Sequence, residues 1–401
     1  MIYLSEDNNY RIPLFGIVTG IYWFTLYTYI PNFSPYLESL GISYKMMGVI
    51  LGSYGFTQMI LRIPLGILSD RINKRKIFVI MGVLLGTLSS LGLWIFSNPF
   101  VVLLFRSLAG AAAACWVSYT VLFSSYFTRD ETPKSIGLIN SISKIGQVLA
   151  MLLGGLAAQY FSPAAPFLLA VIGGIIGLGL SSSIVEKNNV NKEPLKTREL
   201  FQVAKNINLM SVSFLAIIIQ LITFATIFGF VPLAGKNIGA SEFQLSMLVT
   251  LANVLTIVAA ASSGAFFGKR FGENNSIIMG FIIIALSTIV VPYINTVNIL
   301  ILSQMIGGFG IGIVFSLLMG LSIKNIEDNK RATAMGFFQA IYGIGMFLGP
   351  VVVGAISDWA GLNIGFWVSG LIGLMGALLT YVLLKRSYIQ KILNKGGKIN
   401  G

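Results

Sequence analysis

Histidine does not occur among the 401 residues, and cysteine occurs once, as Cys115. Without histidine there is no imidazole proton relay, no histidine-bound zinc and no Ser-His triad. A lone cysteine closes no intramolecular disulfide, and inside an apolar run it reads as a small buried residue. Charge is scarce too: 10% of residues, against roughly 25% in soluble domains. The sequence shows no metal-ligand cluster, no paired acids at catalytic spacing and no nucleotide-binding P-loop. An enzyme is therefore not expected, nor a metal, a cofactor or visible ATP coupling. The excess of 27 Lys and Arg over 14 Asp and Glu raises nucleic acid as a partner, but no soluble basic face exists to bind it.

What the chain has instead is apolar length. Apolar types make up 55% of it, arranged in runs of the roughly 20 residues that cross a bilayer. Twelve spans are expected, over 13–33, 45–66, 77–97, 100–124, 136–160, 166–185, 208–232, 243–266, 277–294, 299–321, 334–356 and 365–384. The runs are too long for barrel strands and do not alternate. The polar start, MIYLSEDNNYR, does not resemble a cleavable signal peptide, and the first apolar run is long enough to span.

Lys and Arg set the orientation. With both termini in the cytoplasm, 22 of the 27 cations fall in cytoplasmic segments. Only Lys45 and Lys236 lie outside, and Arg62, Arg106 and Lys144 lie within spans. The longest internal polar stretch, 186–207, follows span 6. Leu200, Phe201 and Val203 in its second part suit a short surface helix. The stretch divides the chain into an N-terminal six-helix bundle (1–185), a cytoplasmic linker (186–207) and a C-terminal six-helix bundle with a basic tail (208–401).

The two halves repeat. GILSDRINKRK begins at Gly66 and a weaker copy, GAFFGKRFG, at Gly264, an offset of 198. The same offset carries Arg106 to Gln304 and Gly110 to Gly308, and an offset of 199 carries Asn140 to Gln339. Agreement at loop 2–3, span 4 and span 5 together implies two copies of one six-helix unit in the same orientation. Such parallel repeats are a transporter architecture.

On these marks the chain resembles the major facilitator superfamily (MFS), whose loop 2–3 signature is Gly-x-x-x-Asp-Arg-x-Gly-Arg-Lys/Arg. Here it reads Gly66-Ile-Leu-Ser-Asp70-Arg71-Ile-Asn73-Lys74-Arg75-Lys76. Asn73 replaces a glycine, and Asn tolerates the left-handed backbone that glycine serves. In the second copy Gly268 replaces the aspartate. The resemblance implies an all-α membrane protein of twelve transmembrane helices in two six-helix pseudo-repeats. It also implies a conformational latch, with Gly66, Asp70, Arg71 and Arg75 holding the cytoplasmic ends of the halves together in one state of an alternating-access cycle. The alternative is a loop that only sets topology.

An ionisable group inside the membrane is a functional candidate. Arg106 matches the family's Arg-x-x-x-Gly pattern in span 4, to which the resemblance gives a role in proton coupling; its alternative is snorkelling to headgroups. Lys144 lies in a polar stripe with Asn140, Ser143 and Gln147 at helical spacing, facing either a central cavity or a neighbouring helix. Gln339 is the repeat counterpart of Asn140. Arg62 is equally readable as a cavity residue or as a snorkelling one. None of the fourteen acids lies at mid-span, so the interior is electropositive and favours an anionic substrate. Glu38 and Lys144 are the remaining candidates to carry a proton.

Span 11 carries Gly345-x-x-x-Gly349-Pro350-x-x-x-Gly354. This resembles the Gly-Pro signature of exporters, although that signature belongs to span 5, where Ala150-Met151 stands here. In span 1, Tyr22 and Tyr29 share a face and are readable as a substrate platform or as packing.

The expected function is a monomeric secondary transporter of a bacterial-type inner membrane, moving a small organic compound by alternating access, as proton-coupled efflux. Uptake or exchange of an organic anion or sugar derivative is the alternative within transport. A lipid flippase or a non-transporting sensor is the alternative from another class.

Overall fold

A computed structural model of the chain describes residues 10–128, 130–186, 205–324, 326–327 and 330–396. Among these the elements are all helical. Twelve helices are long and apolar enough to cross a membrane: α1 Arg11–Ser39, α2 Tyr44–Ile72, α3 Arg75–Ile95, α4 Pro99–Ser124, α5 Lys134–Tyr160, α6 Ala165–Ser182, α7 Ile207–Asn237, α8 Glu242–Phe271, α9 Glu273–Tyr293, α10 Val297–Lys324, α11 Thr333–Ala360 and α12 Leu362–Leu384. Each corresponds to one expected span, with α1 running further than read from sequence, past Tyr36. Most of the stretch 186–207, with its expected surface helix, lies outside the described residues.

The chain forms two compact units, Met1–Leu195 with Gly239–Thr250, and Lys196–Ile238 with Leu251–Gly401. The first turns of α8 thus belong with the first unit, for a local reason. Asn32 of α1 donates to the Glu242 carboxylate (2.6 Å) and to its backbone carbonyl (3.1 Å). Ser246 donates to the Asn32 side-chain oxygen (3.0 Å).

Within each unit, helices meet where a missing side chain lets backbones touch, since lipid gives apolar faces no reason to seek each other. In the first unit a Cβ on Gly110 would stand 2.3 Å from the Tyr54 carbonyl oxygen, so α4 lies directly on α2. In the second, a Cβ on Gly308 would stand 2.2 Å from that of Ala252, joining α10 to α8. Both residues of the second pair follow those of the first by 198 positions. A hydroxyl hydrogen bond accompanies each crossing: Thr57 to the Ser107 carbonyl and Thr256 to the Gly308 carbonyl, both 2.8 Å. The same device joins α5 to α1, through Gly146 on Gly20, and α11 to α7, through Gly345 on Ile217.

The first helix of each unit is interrupted at a matching place. In α1 the break follows Tyr27, and the chain resumes as Ile30–Ser39. Pro31 has no N–H to return to the Tyr27 carbonyl. In α7 a π-helical turn, Thr226–Phe230, precedes Val231 and Pro232. Pro232 likewise withholds a donor from Phe228, and the wider turn absorbs the mismatch.

Adding volume at the crossings tests this packing. Gly110→Val and Gly308→Val should each cost about 1–3 kcal/mol through overpacking. The cost should appear as a lowered melting temperature of the detergent-purified protein. Gly137 has no atom within 4 Å of its ideal Cβ, so Gly137→Ala should be neutral or stabilise slightly, by up to about 1 kcal/mol. Equal melting of all three variants would refute the close approach.

Candidate functional site

The loop between α2 and α3 owes its shape to one residue. Asn73 closes α2 in the left-handed conformation (φ 51°, ψ 32°), and it is the only non-glycine residue with positive φ among those described. That turn lets α3 begin at Arg75, whose Nη2 donates to the Asp70 carboxylate at 2.6 Å. Glu186, just past α6, accepts from the backbone N–H groups of Arg75 and Lys76. It thereby satisfies donors that a helix start leaves unpaired and places an anion at the positive end of the dipole. Lys76 Nζ donates to the Ser182 carbonyl at 2.6 Å. The loop is therefore tied to α6 inside the first unit. A Cβ on Gly66 would stand 3.8 Å from Val117 of α4, while Arg71 is exposed.

Nearby, burial pushes the Tyr126 phenol up, partly countered by Arg11. The Thr128 hydroxyl, 2.9 Å away, holds the exposed Glu131 carboxyl below its usual range.

The second copy of the loop is built differently. A π-helical segment, Ser263–Gly268, precedes the turn at Gly272 (φ 82°), and α9 opens on Glu273. Glu273 occupies the position equivalent to Arg75 and pairs with Lys324 at 2.8 Å. Both side chains are well exposed, so the pair stabilises by at most about 1 kcal/mol. Beside it opens a cleft of about 420 Å³, lined by Ser263, Gly264, Ser316 and Gly320 among others.

Three cations of the first unit lie well inside spans, each in a different environment. Arg106 is 3% exposed and sits in an aromatic cage. Its guanidinium carbon lies 4.6 Å from the Tyr54 ring centroid, 5.3 Å from Phe33 and 5.6 Å from Tyr29. Its Nη1 donates to the Tyr29 hydroxyl at 2.9 Å. Desolvated cation–π contacts of this kind contribute about 2 kcal/mol each. Lys144 is half-buried and donates to Gln147 at 3.1 Å. Arg62 is 6% exposed, and its Nε is a buried donor without an acceptor. Neither arginine extends its head to the surface.

The other sequence-derived positions divide clearly. In the α5 stripe Asn140 is exposed, Gln147 is buried, and Ser143 spends its hydroxyl on the Asn140 carbonyl at 2.7 Å. Gln304 is buried and reaches the Ser287 carbonyl only at 3.5 Å, and Gln339 is half-buried. Tyr22 and Tyr29 are fully buried. Tyr22 donates to the Ala112 carbonyl at 2.7 Å and stacks on Tyr119 at 4.4 Å, while Tyr29 faces Phe167 at 5.0 Å. Both rings thus pack against neighbours within the first unit. In α11, Gly345 and Gly349 lie on the carbonyls of Ile217 and Leu221 in α7, while Pro350 and Gly354 are buried.

Two features escaped the sequence reading. Asn32 and Glu242 are 210 residues apart, and nothing local marks them as a pair. Gln58, buried with an unpartnered side-chain oxygen, precedes Arg62 by one turn, and that spacing was visible.

The role of Asn73 is separable from polarity. Asn73→Gly should stay within about 0.5 kcal/mol of the parent, whereas Asn73→Val should cost about 1–2 kcal/mol for a left-handed β-branched residue. Thermal melting followed by tryptophan fluorescence would rank the two, and the reverse order would refute the assignment.

The comparisons agree with this architecture. The family model described as Major Facilitator Superfamily matches residues 15–216 and 212–398. An uncharacterized MFS-type transporter of Methanocaldococcus jannaschii is 25% identical over 91% of this chain and 98% of that protein. Multidrug resistance protein 2 of Bacillus subtilis is 21% identical over 91% and 93%. The multidrug resistance protein MdtG of Salmonella choleraesuis is 23% identical over 89% and 91%. Among solved structures, a bacterial homologue of the human lysosomal transporter Spinster superposes with a TM-score of 0.81 at 15% identity, over 96% of this chain and 98% of that one. The nucleoside transporter NupG superposes with a TM-score of 0.76 at 16% identity, over 94% and 99%. Matched over nearly its whole length and built of twelve candidate spans, the chain is a multi-pass membrane protein that belongs to the Major Facilitator Superfamily of transporters.

Proposed function

We propose that this chain is a monomeric secondary active transporter that exports a small organic compound across a bacterial-type cytoplasmic membrane, by alternating access coupled to protons. The observation that carries this reading is the paired construction of the units. Equivalent helices cross through equivalent glycines, and the first helix of each unit is interrupted at the same place. Interrupted helices in corresponding repeats are the sequence-level pointer to a transporter's binding region. Export is supported by relatives that are named multidrug resistance proteins and cover about nine-tenths of the chain. Both termini lie in the cytoplasm on the distribution of Lys and Arg.

In this reading the loop of Gly66, Asp70, Arg71 and Arg75 is the latch. The Asp70–Arg75 pair and the Glu186 cap give it one defined shape. Weakening that shape changes how readily the cytoplasmic ends part. Arg106, Lys144 and Gln147 belong to coupling or to the substrate path, with Asn140, Gln304 and Gln339 as lesser candidates.

A second reading, uptake or exchange of an organic anion, is favoured by one observation: three intramembrane cations and no mid-span acid. Transport in proteoliposomes under an imposed pH gradient decides between them. Export of an amphipathic dye should need the gradient and fall about tenfold or more in Asp70→Asn, with melting within a few degrees of the parent. Lys144→Ala and Arg106→Ala should lose gradient coupling. Gradient-independent movement, or anion uptake with cationic dyes ignored, would overturn export.

A further inference from the structure

The first turn of α8 is fastened by side chains of α1 and α5. The buried Asn32 directs its whole amide there. Its nitrogen donates to the Glu242 carboxylate at 2.6 Å and to the Glu242 backbone carbonyl at 3.1 Å. Its oxygen accepts from the buried Ser246 hydroxyl at 3.0 Å. At the end of α5, the Gln159 side-chain oxygen accepts from the Phe243 N–H at 3.4 Å. One turn earlier, a Cβ on Gly155 would stand 2.2 Å from the Ser246 hydroxyl, so α5 closes on the same residue. On the distribution of Lys and Arg, these are the external ends of all three helices.

This junction differs from the crossings that build each unit. It has no counterpart in the repeat. The 198-residue offset carries Asn32 to Phe230, and it carries Tyr44 and Gly48 to Glu242 and Ser246. Phenylalanine and glycine side chains neither donate nor accept, so these bonds cannot form at the equivalent positions. The repeated architecture therefore does not depend on them. The helix it holds is also shared. Residues of α8 up to Thr250 pack with the first unit and those from Leu251 with the second, along one unbroken α-helical stretch, Glu242–Ser262. The fastening is polar as well. Apolar faces that part at the membrane surface lose burial outright, whereas an amide, a hydroxyl and a carboxylate exchange their bonds for water at small net cost. Such a contact is firm when closed and still reversible.

We propose that Asn32 is a positioning residue of the transport cycle. By holding Glu242 and Ser246 it keeps the outer end of α8 against α1, and its release accompanies opening to the outside. It acts through α8 and not on the substrate. The assignment rests on the transporter reading and gives that cycle an external counterpart to the Gly66–Arg75 loop.

The test reads exposure, kept separate from transport. Thr250, 2% exposed, lies one turn inward of Ser246 on the same face of α8. Thr250→Cys puts a reporter thiol there in the full chain. Intact cells are treated with a membrane-impermeant maleimide, and labelling is followed peptide by peptide. Native Cys115, buried within the first unit, is the control for general loosening. Asn32→Ala should raise the labelling rate of the reporter about tenfold or more, the range of a hydrogen bond to a charged group, with Cys115 unchanged. Ser246→Ala keeps the bonds to Glu242 and should raise it about threefold, the range of a neutral bond. Glu242→Gln retains an acceptor for Asn32 and should stay closer to the parent than Glu242→Ala. An equal rise at Cys115 would make the role of Asn32 merely structural and overturn the proposal. A reporter labelled as fast in the parent as in the Asn32 and Ser246 variants would overturn it too. If dyes are exported on a proton gradient while these variants leave labelling unchanged, the outer contact fails and the export reading stands. If labelling rises as expected but nothing is transported, the outer contact stands and the export reading fails.

Discussion

Backbone meeting backbone is the constraint on which each unit depends. Leucine on a helix in lipid gains little by facing another helix, because the lipid is as apolar as the neighbour. What remains is dispersion and the hydrogen bond, and both need close approach. Gly110 on Tyr54, Gly308 on Ala252, Gly146 on Gly20 and Gly345 on Ile217 supply it, and Thr57 and Thr256 add hydroxyl bonds at the crossings. Because these contacts involve carbonyl oxygens and a vacant Cβ position, they tolerate wide divergence elsewhere in the helix. That explains how two halves can keep one architecture while Arg106 in the first corresponds to Gln304 in the second.

That divergence concentrates charge. The cations set well inside the spans, Arg62, Arg106 and Lys144, all lie in the first unit, and each shows a different physical solution. Arg106 is held by three ring faces and one phenol without any acid, although its Nε finds no acceptor. Lys144 has a single amide for company and is partly open. Arg62 has neither.

Much of the fold was legible because bilayer thickness dictates run length and the positive-inside bias dictates direction. The repeat was legible because crossings need glycine at fixed places, so Gly110 and Gly308 stood out at one offset. The left-handed turn at Asn73 was legible from its place in the motif. The candidate site was legible only as a set of residue types. Tyr22 and Arg106 were visible as unusual residues, but what surrounds each is set by distant neighbours, such as Ala112 for Tyr22, 90 positions away, and Tyr29 for Arg106, 77 positions away. The link from Asn32 to Glu242 lies wholly in such long-range geometry.

The two copies of the loop motif show what a repeat can change without losing its shape. At the start of α3 the protein puts Arg75, a cation at the positive end of a helix dipole, and compensates with Asp70 and the Glu186 carboxylate on the helix amides. At the start of α9 the equivalent residue is Glu273, which suits the dipole unaided. With Gly268 in place of the aspartate, nothing there needs a second acid. The first arrangement is costlier and more connected: its helix start is stable only while α2, α3 and the end of α6 keep their relative places. A loop whose electrostatics depend on three helices at once responds to their movement, and one satisfied by its own first turn does not. The asymmetry therefore supports the reading of the first loop as the latch, on electrostatic grounds independent of any family motif.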